Sequence, residues 1–144
     1  MDYPTSFQTT DAFIFNRVTR GMLLGRKKGA DKWRFIGGFV DPKDVSLEAA
    51  AQRERIEEAG KNLECAFPEY IFSFRVDDPR YKDSPHKILT AVFAHEYIFG
   101  YAQAGDDIEQ VDWFDFSYIR GSYKKIVVKT HWPIVESLIK HGLI

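Results

Sequence analysis

Apolar and polar positions divide this chain into short runs, most of them of strand length. Thr10-Asp11-Ala12-Phe13-Ile14-Phe15 is rich in aromatic and β-branched residues and predicts a strand, after an irregular entry over residues 1–9. Asn16-Arg17 breaks that run, and Gly21-Met22-Leu23-Leu24-Gly25 predicts a hairpin partner. Tyr70 to Val76 alternates with a period of two, and Ile88 to Phe99 forms a second long strand-like run. Between them, Asp77 to Pro85 holds two prolines among its charges and predicts a loop. Gly100 to Asp107 predicts another loop.

Two segments change period. After Gly37-Gly38 and a turn, Ser46 is a candidate N-cap, Glu48 falls in the first turn, and alanines fill the interior. Gly60 is a natural stop, because the residue past a helix often takes positive φ. Thr130 to His141 predicts a final helix, with Pro133 in its first turn and Ile134 and Leu138 on a core face. The pattern alone implies a mixed α and β class, with no repeat or linker, and hence a single domain over 1–144.

The first helix carries the candidate chemistry. Glu54, Glu57 and Glu58 share one side of it, at spacings of three and four. Like charges so close cost stability unless something offsets them, and a hard divalent cation such as magnesium favours carboxylate oxygens. A solvated acidic face is the plainer reading of the triplet alone. The glycine pair at fixed distance shifts the balance.

The segment from Gly38 to Lys61 resembles the Nudix hydrolase signature, G-x5-E-x7-R-E-U-x-E-E-x-G-U, where U is a bulky aliphatic. Gly38 matches the leading glycine, Arg53-Glu54 the R-E pair, Glu57-Glu58 the E-E pair and Gly60 the closing glycine. Asp44 stands where the family has its first glutamate, and the spacing from there to Arg53 is one residue too long. Arg55 and Lys61 replace aliphatics. A one-residue insertion near Val45, in the loop before the helix, reconciles the spacing.

The resemblance implies an α/β/α sandwich around a central mixed β-sheet. It implies a metal-dependent enzyme that cleaves a diphosphate linkage, with magnesium, or manganese in its place, held by Glu54, Glu57, Glu58 and the carbonyl of Gly37. Arg53 is expected to position these carboxylates, by pairing with Glu57 or with Asp44. Family members supply a further carboxylate from the region before the W-F element, here Asp112-Trp113-Phe114. Asp106, Asp107 and Glu109 are therefore candidates for a general base or extra ligand. A polar turn accounts for any one of them equally well. The Asp77-Asp78-Pro79-Arg80 loop is similar to Nudix domains of ADP-ribose and NAD metabolism, so ADP-ribose is the leading expected substrate. The alternatives are a nucleoside-triphosphate pyrophosphohydrolase and a nucleotide sensor that does not cleave. Members are often dimers, which makes a homodimer one expected state.

Composition adds three points. The 12 Phe, 7 Tyr and 3 Trp are abundant; some must be core, but a base-stacking pocket would need a surplus too. By strand position Phe13, Phe35 and Tyr81 are candidates to stack on a base, with Arg26, Arg75 and Arg80 as candidates to hold phosphate. A formal charge of −1 gives no reason to expect nucleic acid as a partner; a small nucleoside diphosphate derivative fits better. Cys65 is alone, the first residues lack the pattern of a signal peptide, and no apolar run reaches membrane-spanning length, so a cytoplasmic location is expected. His95, in an apolar strand, is expected to be a satisfied core residue; the four histidines show no metal-type spacing.

Overall fold

A computed structural model describes residues 2–144. The strands are β1 (Ser6–Asn16), β2 (Gly21–Lys27), β3 (Ile36–Phe39), β4 (Leu63–Cys65), β5 (Glu69–Val76), β6 (Lys87–Gly100) and β7 (Ile108–Asp115). The helices are α1 (Leu47–Ala59), α2 (Phe116–Ile126) and α3 (Trp132–Lys140). The backbone spine of the sheet runs β4-β6-β1-β2-β7, with β3 added against β1 and β5 against β6. Pairing is parallel between β1 and β6 and antiparallel elsewhere, so the sheet is mixed.

Strand β1 exchanges partners along one edge. Thr9 to Ala12 pair with Phe39 to Ile36 of β3, whereas Ile14 to Asn16 pair with Leu23 to Gly21 of β2. One core forms where Phe13, Met22, Leu24 and Val92 meet α2 and α3, through Phe116, Ile119, Ile134 and Leu138. On the other face, Ala51 of α1 packs with Ala91 and Phe93, and Ala59 joins Ile14, Leu23 and Ile36. Helices thus cover both faces of the sheet, as the expected sandwich requires.

Helix α1 begins and ends as its sequence implies. Ser46 Oγ accepts from the Ala49 amide at 3.0 Å, and Gly60 closes the helix at φ 94°, where any side chain is strained. Four expectations are corrected. Ser6 to Thr9 belong to β1 rather than to an irregular entry, because β6 continues alongside them. The last helix starts at Trp132, after a 3-10 turn over Lys129–His131. Helix α2, which the apolar pattern did not signal, lies between β7 and that turn. His95 is buried but not satisfied: among the described residues neither ring nitrogen finds a hydrogen-bond partner, and nor does the buried Nε of Arg55.

That histidine sets a pH limit on stability. Burial first, and then the charge of Arg55, push His95 down to about 3, while burial pushes His131 down to about 4. Below the ordinary value near 6.5 the unfolded chain takes up these protons and the folded chain does not, so stability is present above that pH and lost as pH falls. We expect up to about 1.4 kcal/mol per pH unit from each ring in that window. The contribution is read by comparison with the parent: His95→Phe should remove about one proton from the pH slope of the urea midpoints between about pH 7 and pH 5. An unchanged slope would contradict this account.

Candidate active site

Helix α1 delivers two of its glutamates to the glycine pair of β3. Gly37 N–H donates to Glu58 Oε1 at 3.0 Å, and Glu54 packs over Gly38. A Cβ at Gly37 would stand 2.0 Å from the Thr10 carbonyl oxygen, and one at Gly38 would stand 2.7 Å from Glu54 Oε1. Glycine at 37 admits the close approach of β3 to β1, and glycine at 38 leaves room for the Glu54 carboxylate. Glu54 and Glu58 are buried and line a cleft of about 310 Å³ together with Gly37, Gly38, Asp106 and Asp107.

Arg53 organises the acids from the side. Its guanidinium grips both oxygens of Asp44, Nε to Oδ1 at 2.9 Å and Nη2 to Oδ2 at 2.8 Å, and its Nη1 reaches Glu54 and Glu57 at 3.2 Å each. The Arg53 bond holds the Asp44 carboxyl down at about 2. Both expected pairings of Arg53 are therefore present at once, and the longer loop before α1 still brings an acid to it. Glu57 remains half-exposed at the edge of the cluster and does not line the cleft.

The acids crowd one another. Carboxylate oxygens of Glu58, Asp106 and Asp107 all lie within 4.8 Å of each other. Burial, with a hydrogen bond to Asp107, pushes Glu58 up to about 8, and burial also raises Glu54 against the pull of Arg53. Burial would raise Asp107 as well, but its bond with Glu58 and the charge of Lys27 outweigh that and hold it low. Of the three loop candidates, Asp107 lies 3.3 Å from Lys27 and Glu109 3.4 Å from Arg26, which leaves Asp106 without an ion pair among the described residues.

The proposed substrate contacts divide. Arg80 lines the cleft, joined to Asp78 of the same loop. Arg75 and Tyr81 line an adjoining cavity of about 380 Å³ that shares Val76 and Asp78 with the cleft. Phe13 and Phe35 are corrected: both are fully buried in the core under α2 and α3 and offer no face to a base. Arg26 is corrected too, because it bonds the Ala30 carbonyl and Gln110 and rests over Trp33, outside the cleft. Glu109, tied to that arginine, is likewise not among the cleft residues.

Several cleft residues were not anticipated. Asp11 accepts from Thr90 Oγ1 at 2.6 Å, and its other oxygen lies 3.6 Å from His131 Nε2. The Phe35 amide donates to His131 Nδ1 at 3.0 Å, which leaves Nε2 to carry the proton of the neutral ring. Lys27, Arg34 and Asp78 complete the charged lining. A lone carboxylate within an otherwise apolar strand was the available signal for Asp11. Nothing local marked His131 or Arg34.

The two glycines should respond differently to a methyl group. Gly37→Ala forces Cβ onto backbone and should lower stability by about 1–3 kcal/mol or more. Gly38→Ala meets only the end of the Glu54 side chain, so the fold should persist with Glu54 displaced. Thermal melts of the two variants check this, and equal losses would contradict it.

A family model described as NUDIX domain matches residues 6–138. No match was found among curated proteins. Among solved structures, the MutT protein from Methanosarcina mazei Go1 superposes with a TM-score of 0.76 at 20% identity, over 99% of each chain. The NUDIX domain of Shewanella oneidensis NrtR, complexed with ADP ribose, gives 0.72 at 18% identity, over 99% of this chain and 91% of that one. A bifunctional NMN adenylyltransferase/ADP ribose pyrophosphatase from Francisella tularensis, complexed with AMP and Mn ion, gives 0.69 at 20% identity. The match covers 98% of this chain but 43% of the Francisella one. At these identities the likeness concerns the fold.

Proposed function

The chain belongs to the Nudix family of hydrolases, and on that footing we propose that it cleaves a diphosphate linkage in a nucleoside diphosphate derivative, with ADP-ribose the leading substrate. The observation that carries the reading is the charge of the cleft: six carboxylates, from Asp11, Glu54, Glu58, Asp78, Asp106 and Asp107, against the cations of Lys27, Arg34 and Arg80. A diphosphate adds further negative charge, so it enters such a cleft only with a cation.

The residues fit a hard divalent ion. Three carboxylates converge within 4.8 Å, and the buried Glu54 and Glu58 resist ionisation without a positive neighbour. Glu54, Glu58 and the Gly37 carbonyl would hold magnesium or manganese, with Glu57 at the rim and Asp106 or Asp107 completing the set. When bound, such an ion supplies Lewis acidity toward phosphate oxygens and lowers the pKa of water. Arg53 fixes the orientation of Glu54 and Glu57 and leaves the substrate to others. Asp106, with no ion pair of its own, is positioned to accept the proton of the attacking water. Arg80 faces the cleft from the Asp-Pro-Arg loop, where it suits a phosphate of the leaving half, and Tyr81 and Arg75 in the adjoining cavity suit the nucleoside beyond it. The complex of the NrtR domain with ADP ribose supports the choice of substrate, and the MutT neighbour keeps triphosphates in view.

A panel of ADP-ribose, NADH, sugar nucleotides and nucleoside triphosphates, with magnesium, tests the reading. AMP released from ADP-ribose supports it. Preferential release of pyrophosphate from triphosphates would move the enzyme to that class. Tight binding with no product over hours would identify a sensor instead. Glu58→Gln should fold and lose turnover by orders of magnitude, whereas Glu57→Gln, at the rim, should lose less; equal activity of parent and Glu58→Gln rejects the assignment.

A further inference from the structure

Three cations line the cleft, and two of them are already committed. Lys27 Nζ lies 3.3 Å from Asp107 Oδ2. Arg80 grips Asp78 through Nε at 3.1 Å and Nη2 at 2.7 Å. Arg34, among the described residues, has neither an ion pair nor a hydrogen bond from its guanidinium. It lines the same cleft as Asp78 and His131, and its charge adds to the Arg80 bond in lowering Asp78 and to burial in lowering His131.

The backbone that carries this side chain is clamped from several directions. Arg34 exchanges two hydrogen bonds with Gly25, at 2.8 and 2.9 Å. Trp33 before it bonds Ile126 at 2.7 Å and Val128 at 2.9 Å, and Phe35 after it donates to His131. A half-buried guanidinium without a partner costs desolvation that a paired one recovers. Here the backbone is held rigid while the charge is left unpaired. A guanidinium fork also matches two oxygens of one phosphate, which an ammonium does not.

We propose that Arg34 is the anion anchor of the cleft, binding a phosphate oxygen of the substrate; the assignment rests on the diphosphate reading above. It is a binding residue, made to hold substrate and transition state alike, so its loss acts on affinity rather than on the chemical step.

The test uses Arg34→Met and Arg34→Lys in the full chain, with thermal melts to confirm folding. An ADP-ribose analogue with a methylene bridge between its phosphorus atoms is titrated by calorimetry with magnesium present, and kinetics follow on the substrate the parent prefers. Arg34→Met should raise Kd and KM about 10- to 100-fold, with kcat nearly unchanged. Arg34→Lys should recover part of that loss, because it keeps the charge without the fork. Unchanged Kd and KM in folded Arg34→Met, with the parent binding well, overturn the role of Arg34 and leave the diphosphate reading standing. A parent that binds the analogue but turns over nothing overturns hydrolysis, while the comparison of Kd still decides Arg34. A parent that binds nothing overturns both. If Arg34→Met melts early, Arg34→Lys decides by the same measure, and parental Kd there overturns the role.

Discussion

The closeness of helix α1 to Gly37 and Gly38 is the constraint on which the cleft depends. Glu58 reaches the Gly37 amide, and Glu54 lies where a side chain at Gly38 would stand. A substituent at Gly38 would displace the Glu54 carboxylate, and one at Gly37 would part β3, which carries the Glu58 contact, from β1. The same contact explains why the acids are buried, and burial in turn raises their demand for positive charge. Arg53 meets part of that demand by bridging Asp44, Glu54 and Glu57. The rest falls to what the cleft binds.

Cation supply is thus divided by position. Arg53 serves the outer face of the acidic cluster, Lys27 its loop side, and Arg80 the neighbouring Asp78. Each of these cations already pairs with a carboxylate of the protein. The cleft remains acidic in sum, which suits a site that must attract a metal before it tolerates a phosphorylated ligand.

Much of this was legible in the chain because it is local. The N-cap at Ser46, the stop at Gly60 and the spacing of Glu54, Glu57 and Glu58 are properties of one continuous segment. The one-residue insertion near Val45 falls in a loop, which absorbs length that a helix cannot, and Asp44 still meets Arg53. Residues assembled by sheet register were not legible. Asp11, Arg34 and His131 lie far apart in sequence and converge only because β1 pairs with β3 and β6 while the last turn docks beside them. The aromatic surplus misled for a related reason: composition counts rings but does not say which face of a strand they occupy, and Phe13 and Phe35 point into the core. Helix α2 escaped notice because Asp115 makes no capping bond and Gly121 interrupts its interior.

Helix α1 buries alanines, two glutamates and an arginine, and no large apolar side chain. Its attachment to the sheet therefore owes little to hydrophobic area and more to polar bonds, with Gly37 N–H donating to Glu58 and Arg55 Nη1 donating to the Leu63 carbonyl. The element that carries the chemistry is thus held by polar contacts more than by apolar area, and its fastening depends on the pairing of those groups. An ion held by the proposed carboxylates would act as a further rivet between helix and sheet, and would then tie the lifetime of the assembled site to metal supply.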